Sequence, residues 1–280
     1  MPAVHIVTDT AADLPAEEAA ALGIELVPLS IRFGDTEYTD GVDLSVKDFY
    51  AKMAESDELP ATAAPAPGAF EEAFRRAAAD GGSVVCINLS SQLSATMQSA
   101  ENAARAVAGD IDVRVLDSCA ITAAQGNLVL AAAELAADGG STDDVVALVE
   151  SLRPRTRVFG TLDTLDNLKK GGRVGGAKAF FGTMLSIKPI IDISTGVVEE
   201  AGRQRTRKKA LAHLRDRLFE RPSVERLAVC TGNAPDVGDL IDLIAPRYGP
   251  DQFTLRDIGP VIGTHGGPRV LGLAWLEPAS

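Results

Sequence analysis

The sequence predicts an α/β protein of one large or two medium domains, with parallel strands in its first half and a mixed sheet in its second. Three observations predict it. Strand and helix patterns alternate from residue 69 to residue 137, which is how parallel strands joined by crossover helices read. A hairpin pattern spans Ile190 to Arg205, turned at Ser194-Thr195-Gly196, so antiparallel neighbours are expected there. The chain has 280 residues, 46% of them hydrophobic, and that is enough to bury a full core.

Ala3 to Thr8 is apolar and reads as the first strand, followed by the polar turn Asp9-Thr10-Ala11-Ala12-Asp13. A short helix then runs to Leu22, with Gly23 as its stop. Ile24 to Phe33 reads as one further strand, ended by the turn pair Gly34-Asp35, and Ser45 caps a helix through Met53. The stretch Pro60-Ala61-Thr62-Ala63-Ala64-Pro65-Ala66-Pro67 is expected to be extended, because each proline biases its predecessor away from the helix. Helix 69–79, strand 83–89, helix 93–107, strand 111–116 and helix 122–137 follow. Gly139-Gly140 ends that series and a short helix reaches Leu152. At Arg153-Pro154-Arg155 charge and pattern both change, which places a domain boundary between residues 152 and 153.

Composition excludes several classes of function. With 5% aromatic residues the chain lacks the stacking platforms of a single-strand nucleic acid binder, and a net charge of −12 repels nucleic acid and anionic membranes. The charge is uneven, since basic residues outnumber acidic ones from Arg153 to Arg226. Met1-Pro2-Ala3-Val4-His5 is unlike a signal peptide, and no apolar run approaches a membrane span, so a cytoplasmic protein is expected. Cys86, Cys119 and Cys230 are scattered without zinc-ligand spacing and read as reduced, mostly buried thiols. No metal and no cofactor is expected.

Three clusters carry chemistry. Ser90-Ser91-Gln92-Leu93-Ser94-Ala95-Thr96 lies between a strand and an alanine-rich helix, where free backbone N–H groups and short hydroxyls suit a small anion. Helix capping is the simpler use of such serines. Leu168-Lys169-Lys170-Gly171-Gly172-Arg173 reads as a helix end with an arginine displayed past a double-glycine stop, able to present its fork to an oxyanion. The third cluster, Gly259-Pro260-Val261-Ile262-Gly263-Thr264-His265-Gly266-Gly267-Pro268, lets backbone approach a ligand and holds the one histidine in a functional setting. His5 and His213 read as structural.

With Ile6-Val7-Thr8-Asp9-Thr10-Ala11-Ala12-Asp13-Leu14, the threonine of the proline stretch, Ile187-Lys188-Pro189-Ile190 and Gly263-Thr264-His265 added, the chain resembles the DegV family of bacterial fatty-acid-binding proteins over nearly its whole length. The resemblance implies a two-domain DegV-like fold. Its N-terminal parallel-sheet α/β domain, 1–152, would carry carboxylate-binding hydroxyls, and its C-terminal mixed-sheet α/β domain, 153–280, would close an acyl tunnel. It also implies one bound long-chain fatty acid, such as palmitate or oleate, with Thr62, Ser94 and Ala95 as the ligand-binding set. Arg173 and His265 would serve presentation to a separate fatty acid kinase, which makes an acyl-phosphate for phospholipid synthesis. The carrier itself would not be an enzyme and would not insert stably in a membrane.

The chain departs from the family pattern at Ala63-Ala64-Pro65-Ala66, where Ser-Gln-Pro-Ser is frequent. It departs again at Ala95 in place of a glycine, at Met97 in place of a tyrosine, and at Gly266 and Arg269 in place of a threonine and a glycine. Ala179-Phe180-Phe181-Gly182-Thr183-Met184-Leu185 and Val261-Ile262 are candidate tail-lining segments. The rival from another class is a serine hydrolase or esterase with Ser94 as nucleophile, His265 as base and an acid such as Asp117, although no Gly-x-Ser-x-Gly elbow is present. A sugar- or phosphate-binding module is a third reading, weakened by the lack of a glycine-rich loop with a lysine.

Overall fold

The computed structural model describes residues 3–56, 58–175 and 187–279. Two α/β domains form, one on a parallel sheet and one on a mixed sheet. In the first, β1 (Val4–Asp9) pairs in parallel with β2 (Glu25–Val27) and β6 (Ser83–Asn88), and β6 pairs in parallel with β7 (Val113–Asp117). The crossovers carry α1 (Ala16–Ala21), α2 (Val46–Glu55), α3 (Pro67–Ala77) and α4 (Thr96–Val107). As expected, Ser45 caps α2, its hydroxyl accepting from Asp48 N at 3.1 Å.

The expected single strand from Ile24 to Phe33 is two strands in two sheets. Pro28 has no N–H to donate, and the chain turns there. β2 stays in the parallel sheet, while β3 (Ser30–Phe33) joins β4 (Thr36–Thr39) and β5 (Ala61–Ala63) in a small antiparallel sheet. The extended proline stretch thus gains a partner, with Thr62 opposite Ile31.

α5 (Thr122–Ala137) is buried from Thr122 through Ala133, as a helix apolar on all sides should be. It packs on β1 and β6 on one side and, across the seam between the domains, on the second sheet. The capping box of Ser141 and Asp144 opens α6 (Thr142–Leu152).

Among the described residues the second sheet has six strands: β8 (Thr156–Thr161), β9 (Lys188–Asp192), β10 (Glu199–Gln204), β11 (Glu225–Thr231), β12 (Thr254–Asp257) and β13 (Leu271–Leu276). Its order is β10-β9-β8-β13-β11-β12, antiparallel except for β11 and β12, and the expected hairpin is β9–β10. α7 (Asp166–Lys170) follows β8. α8 (Arg207–Phe219) and α9 (Val237–Ile244) cover one face through Leu211, Leu214, Leu218, Leu240 and Ile244. The other face meets the first domain in a shared core that includes Leu29, Ile31, Phe49, Leu89, Ile121, Val158, Ile191 and Cys230. α10 (Pro260–Gly266) lies in this seam, against α2, α7, β3 and β5. No helix among the described residues is long and apolar enough to cross a membrane.

Candidate functional site

The hydroxyl loop is shaped from below by a carboxylate. Asp9, fully buried at the end of β1, accepts from Leu89 N (2.9 Å), Asn88 Nδ2 (3.1 Å), Gln125 Nε2 (3.2 Å) and Ala11 N (3.1 Å). Burial pushes its pKa up, and the four donors offset this only in part. These bonds fix where β6 ends and the loop begins. Ser90 then donates to Gly196 O of the β9–β10 turn at 2.6 Å, and Ser90 O accepts from Leu93 N and Ser94 N.

The loop's serines divide their work. Ser91 is held by Asp117, whose carboxylate also accepts from Cys119 N at 2.8 Å. Ser94 Oγ lies 2.8 Å from Thr96 Oγ1 and accepts from Thr96 N at 3.3 Å. The helix expected from residue 93 therefore begins at Thr96, because Ser94 spends its hydroxyl on a turn and Ala95 stands at the cap with no side chain to bond. Thr96 Oγ1 can donate to Ser94 Oγ, and the Ser94 proton is then available to a ligand.

The double-glycine motif is a Schellman end. Gly172 has φ +71°, Gly172 N donates to Lys169 O, and Arg173 N donates to Leu168 O. Arg173 emerges from that turn with Nε donating to Leu93 O (3.2 Å) and Nη1 to Gly171 O (2.6 Å), so it ties the glycine turn to the hydroxyl loop. Gly171 serves by having no side chain. A Cβ there would lie 2.9 Å from His265 Cε1 and closer still to Nδ1.

His265 comes to that place at the end of α10, whose start is held by Gly259 N donating to Asp13 Oδ1 (3.0 Å) and whose end is held by Asn167 Nδ2 donating to Thr264 O (2.9 Å). Its Nε2 is 3.1 Å from Thr62 Oγ1, and its Nδ1 is buried without a hydrogen-bond partner among the described residues. Burial, then the Arg173 charge, lower its pKa to about 4, so the ring is neutral at neutral pH. A buried orphan N–H costs more than an orphan acceptor, which favours the tautomer with the proton on Nε2. Nε2–H then donates to Thr62 Oγ1, and the Thr62 proton is left for a ligand.

Thr62, Ser94, Ala95, Arg173 and His265 all border one cavity, with about 170 Å³ in which the centre of a water molecule could sit. The rest of its wall is mostly aliphatic, including Leu29, Leu93, Ile121, Leu162, Ile193 and Val198. Val261 and Ile262 line it as expected, whereas residues 179–185 lie outside the described residues. The structure thus brings the five sequence-derived residues together.

It does not assemble the hydrolase. His265 bonds to Thr62, Ser94 to Thr96, and Asp117 to Ser91 and Cys119. Among the described residues, no group of histidine, cysteine, aspartate and glutamate side chains could hold a metal ion. Cys86 and Cys230 are buried free thiols, and Cys119 is a half-buried one.

Sequence reasoning missed Asp9 as the organiser of the loop, Gly171 as the seat of His265, and Thr122, which also lines the cavity. Asp9 sits in a motif that reads equally well as a surface turn. Three of its four partners lie 79, 80 and 116 residues away, and no local pattern marks them.

The family model described as an uncharacterised protein of the DegV family matches residues 3–278. A DegV domain-containing protein of Halalkalibacterium halodurans is 35% identical over 280 residues, covering 98% of this chain and 99% of that one. A DegV family protein of Thermus thermophilus, solved in connection with fatty acid binding, is 32% identical with a TM-score of 0.90, covering 99% of this chain and 100% of its own. DegV of Bacillus subtilis, described as a fatty acid binding protein, is 31% identical with a TM-score of 0.89 and the same coverage.

Proposed function

The chain belongs to the DegV family, and from that premise we propose that it is a carrier that binds one long-chain fatty acid, such as palmitate or oleate, and presents its carboxylate to a fatty acid kinase in the cytoplasm. Residues 1–152 supply the hydroxyls and residues 153–280 close the tunnel. The observation that carries the reading is one aliphatic cavity bordered by two hydroxyls, an arginine and a neutral imidazole, in which Thr62 is bonded to His265 and Arg173 is tied to the backbone of the hydroxyl loop.

The energetics suit that ligand. Hydrogen bonds to a carboxylate contribute about 1.5–3 kcal/mol each. A buried methylene contributes about 0.8 kcal/mol, so a tail of about sixteen carbons approaches ~12 kcal/mol before the cost of ordering it. The tail supplies most of the affinity, and Thr62 and Ser94 fix which end faces out. Arg173, beside that end, is placed to stabilise the negative charge that gathers when a phosphoryl group meets the carboxylate. The excess of basic residues from Arg153 to Arg226 favours an acidic docking surface on the kinase.

The test is organic extraction and mass spectrometry of the protein purified from a bacterial host, with titration of palmitate and oleate into stripped protein. One long-chain fatty acid per chain is expected. Extracts free of fatty acid together with no binding in the titration would refute the proposal.

A further inference from the structure

The wall of the cavity contributed by the six-stranded sheet has a gap in its side chains. Gly160 of β8 and Gly272 of β13 are directly opposite one another, flanked in register by Ile191 of β9 and Cys230 of β11. All four line the cavity. Side chains alternate along a strand, and Val158, Ala274, Ala228, Ile191 and Cys230 belong to the seam core while Phe159, Leu271 and Leu273 belong to the opposite face. Cβ atoms at 160 and 272 would therefore point toward the cavity. The four positions span three interstrand spacings, about 14 Å, and two adjacent glycines leave the middle of that span bare backbone.

The two glycines are there for different reasons. A Cβ at Gly272 would lie 2.9 Å from Phe159 O, so the backbone itself excludes a side chain. A Cβ at Gly160 would meet Leu271 O at 3.5 Å and Ile191 Cγ1 and Cδ1 at 3.6 and 3.9 Å, which are ordinary contacts. Neither residue has a positive φ. A glycine inside a strand costs stability relative to a residue with a side chain, and nothing in the packing of the described residues demands one at 160.

We propose that Gly160, with Gly272, forms the floor on which the acyl tail lies, and that Gly160 sets the length of tail the cavity accepts. This rests on the fatty-acid reading above. The head-group residues lie on β5, the hydroxyl loop, the glycine turn and α10, whereas the atoms nearest a Cβ at 160 are Leu271 O and the Ile191 side chain. A side chain there shortens the tail space and leaves the carboxylate site intact.

The experiment is a titration of the saturated series from decanoate to stearate into stripped wild-type, Gly160→Ala and Gly160→Val proteins, each checked by circular dichroism. Excluding even two methylenes weakens binding about tenfold. Gly160→Val is expected to lose about tenfold or more for palmitate and stearate while decanoate stays within about twofold, with Gly160→Ala in between. Equal losses at every chain length, or none at any, would overturn the assignment. Gly160→Ala, whose methyl fits the space, decides the matter if the valine variant does not fold. Failure of the wild type to bind any member of the series instead refutes the fatty-acid reading itself.

Discussion

The polar end of the cavity and its sheet wall are built by opposite means. At the polar end nearly every group has an assigned partner: Thr62 with His265, Ser94 with Thr96, Arg173 with Leu93 and Gly171, and Asp9 beneath them with four donors. The wall at Gly160 and Gly272 is defined by side chains that are missing. Hydrogen bonds are directional and a misplaced buried partner is costly, so the polar end tolerates little change. Aliphatic contact is non-directional and roughly proportional to area, so the wall can be retuned by volume alone. One end selects a chemical group, and the other selects a size.

The largest effect that would sharpen this division is on turnover. In Arg173→Ala the proposed kinase reaction should fall by about a hundredfold, the scale of losing one preorganised charge donor, while loading changes by a few-fold. Acyl-phosphate formation by a fatty acid kinase, set against the loaded fraction by mass spectrometry, reads both. His265→Ala should lower turnover as well and weaken loading, since the Thr62 hydroxyl loses the bond that orients it. Full turnover in Arg173→Ala would return that arginine to a purely structural tie between two loops.

Next in size is the head group itself. Ser94→Ala should weaken binding of long and short fatty acids alike by roughly 1.5–3 kcal/mol, in contrast to the length-dependent effect at Gly160. Calorimetric titration distinguishes the patterns, and a loss confined to long chains would break the comparison. The fold should persist, because a lost helix-end bond costs only about 1 kcal/mol.

The smallest effect on function belongs to the framework behind the polar end, which bears on stability and should leave binding alone. Burial, with Asp9 nearby, raises the Asp40 pKa to about 6. Burial also raises Asp13, to which the charges of Asp40 and Asp257 add, and burial raises Asp9. A carboxyl whose folded value exceeds its unfolded one contributes stability below the unfolded value and loses it as pH rises through the folded value. His265 acts in the opposite sense. Its folded value of about 4 lies below the ordinary 6.5, so its contribution holds above the ordinary value and is lost as pH falls toward 4. Asp40 and His265 therefore act in opposite directions over the same window, about pH 4 to 6, and largely offset each other there. Asp40→Asn should remove a fall of about 3 kcal/mol between about pH 4 and 6, so that the variant gains stability with pH across that window, with fatty acid affinity at pH 7 unchanged. A melting series from pH 4 to pH 8 checks this, and a profile between pH 4 and 6 that the substitution leaves unaltered would refute the role given to Asp40.

Periodicity and local chemistry made much of this molecule legible in the chain. The alternating patterns of β6, α4, β7 and α5 gave the parallel domain, the hairpin pattern gave the mixed sheet, and Gly171-Gly172 before Arg173 gave a helix end that proved to be a Schellman turn. These are decided by neighbours a few residues apart: side-chain period, proline and glycine geometry, and caps. Pro28 shows the limit, since its local signal marks a break but says nothing of which sheets the two halves will join. Thr62 meeting His265 across 203 residues, Asp9 meeting Leu89 across 80, and Gly160 facing Gly272 were decided only in the tertiary structure. Such pairings depend on strand order and on how two domains close on each other, and both follow from the burial of the whole core and from no single segment of it.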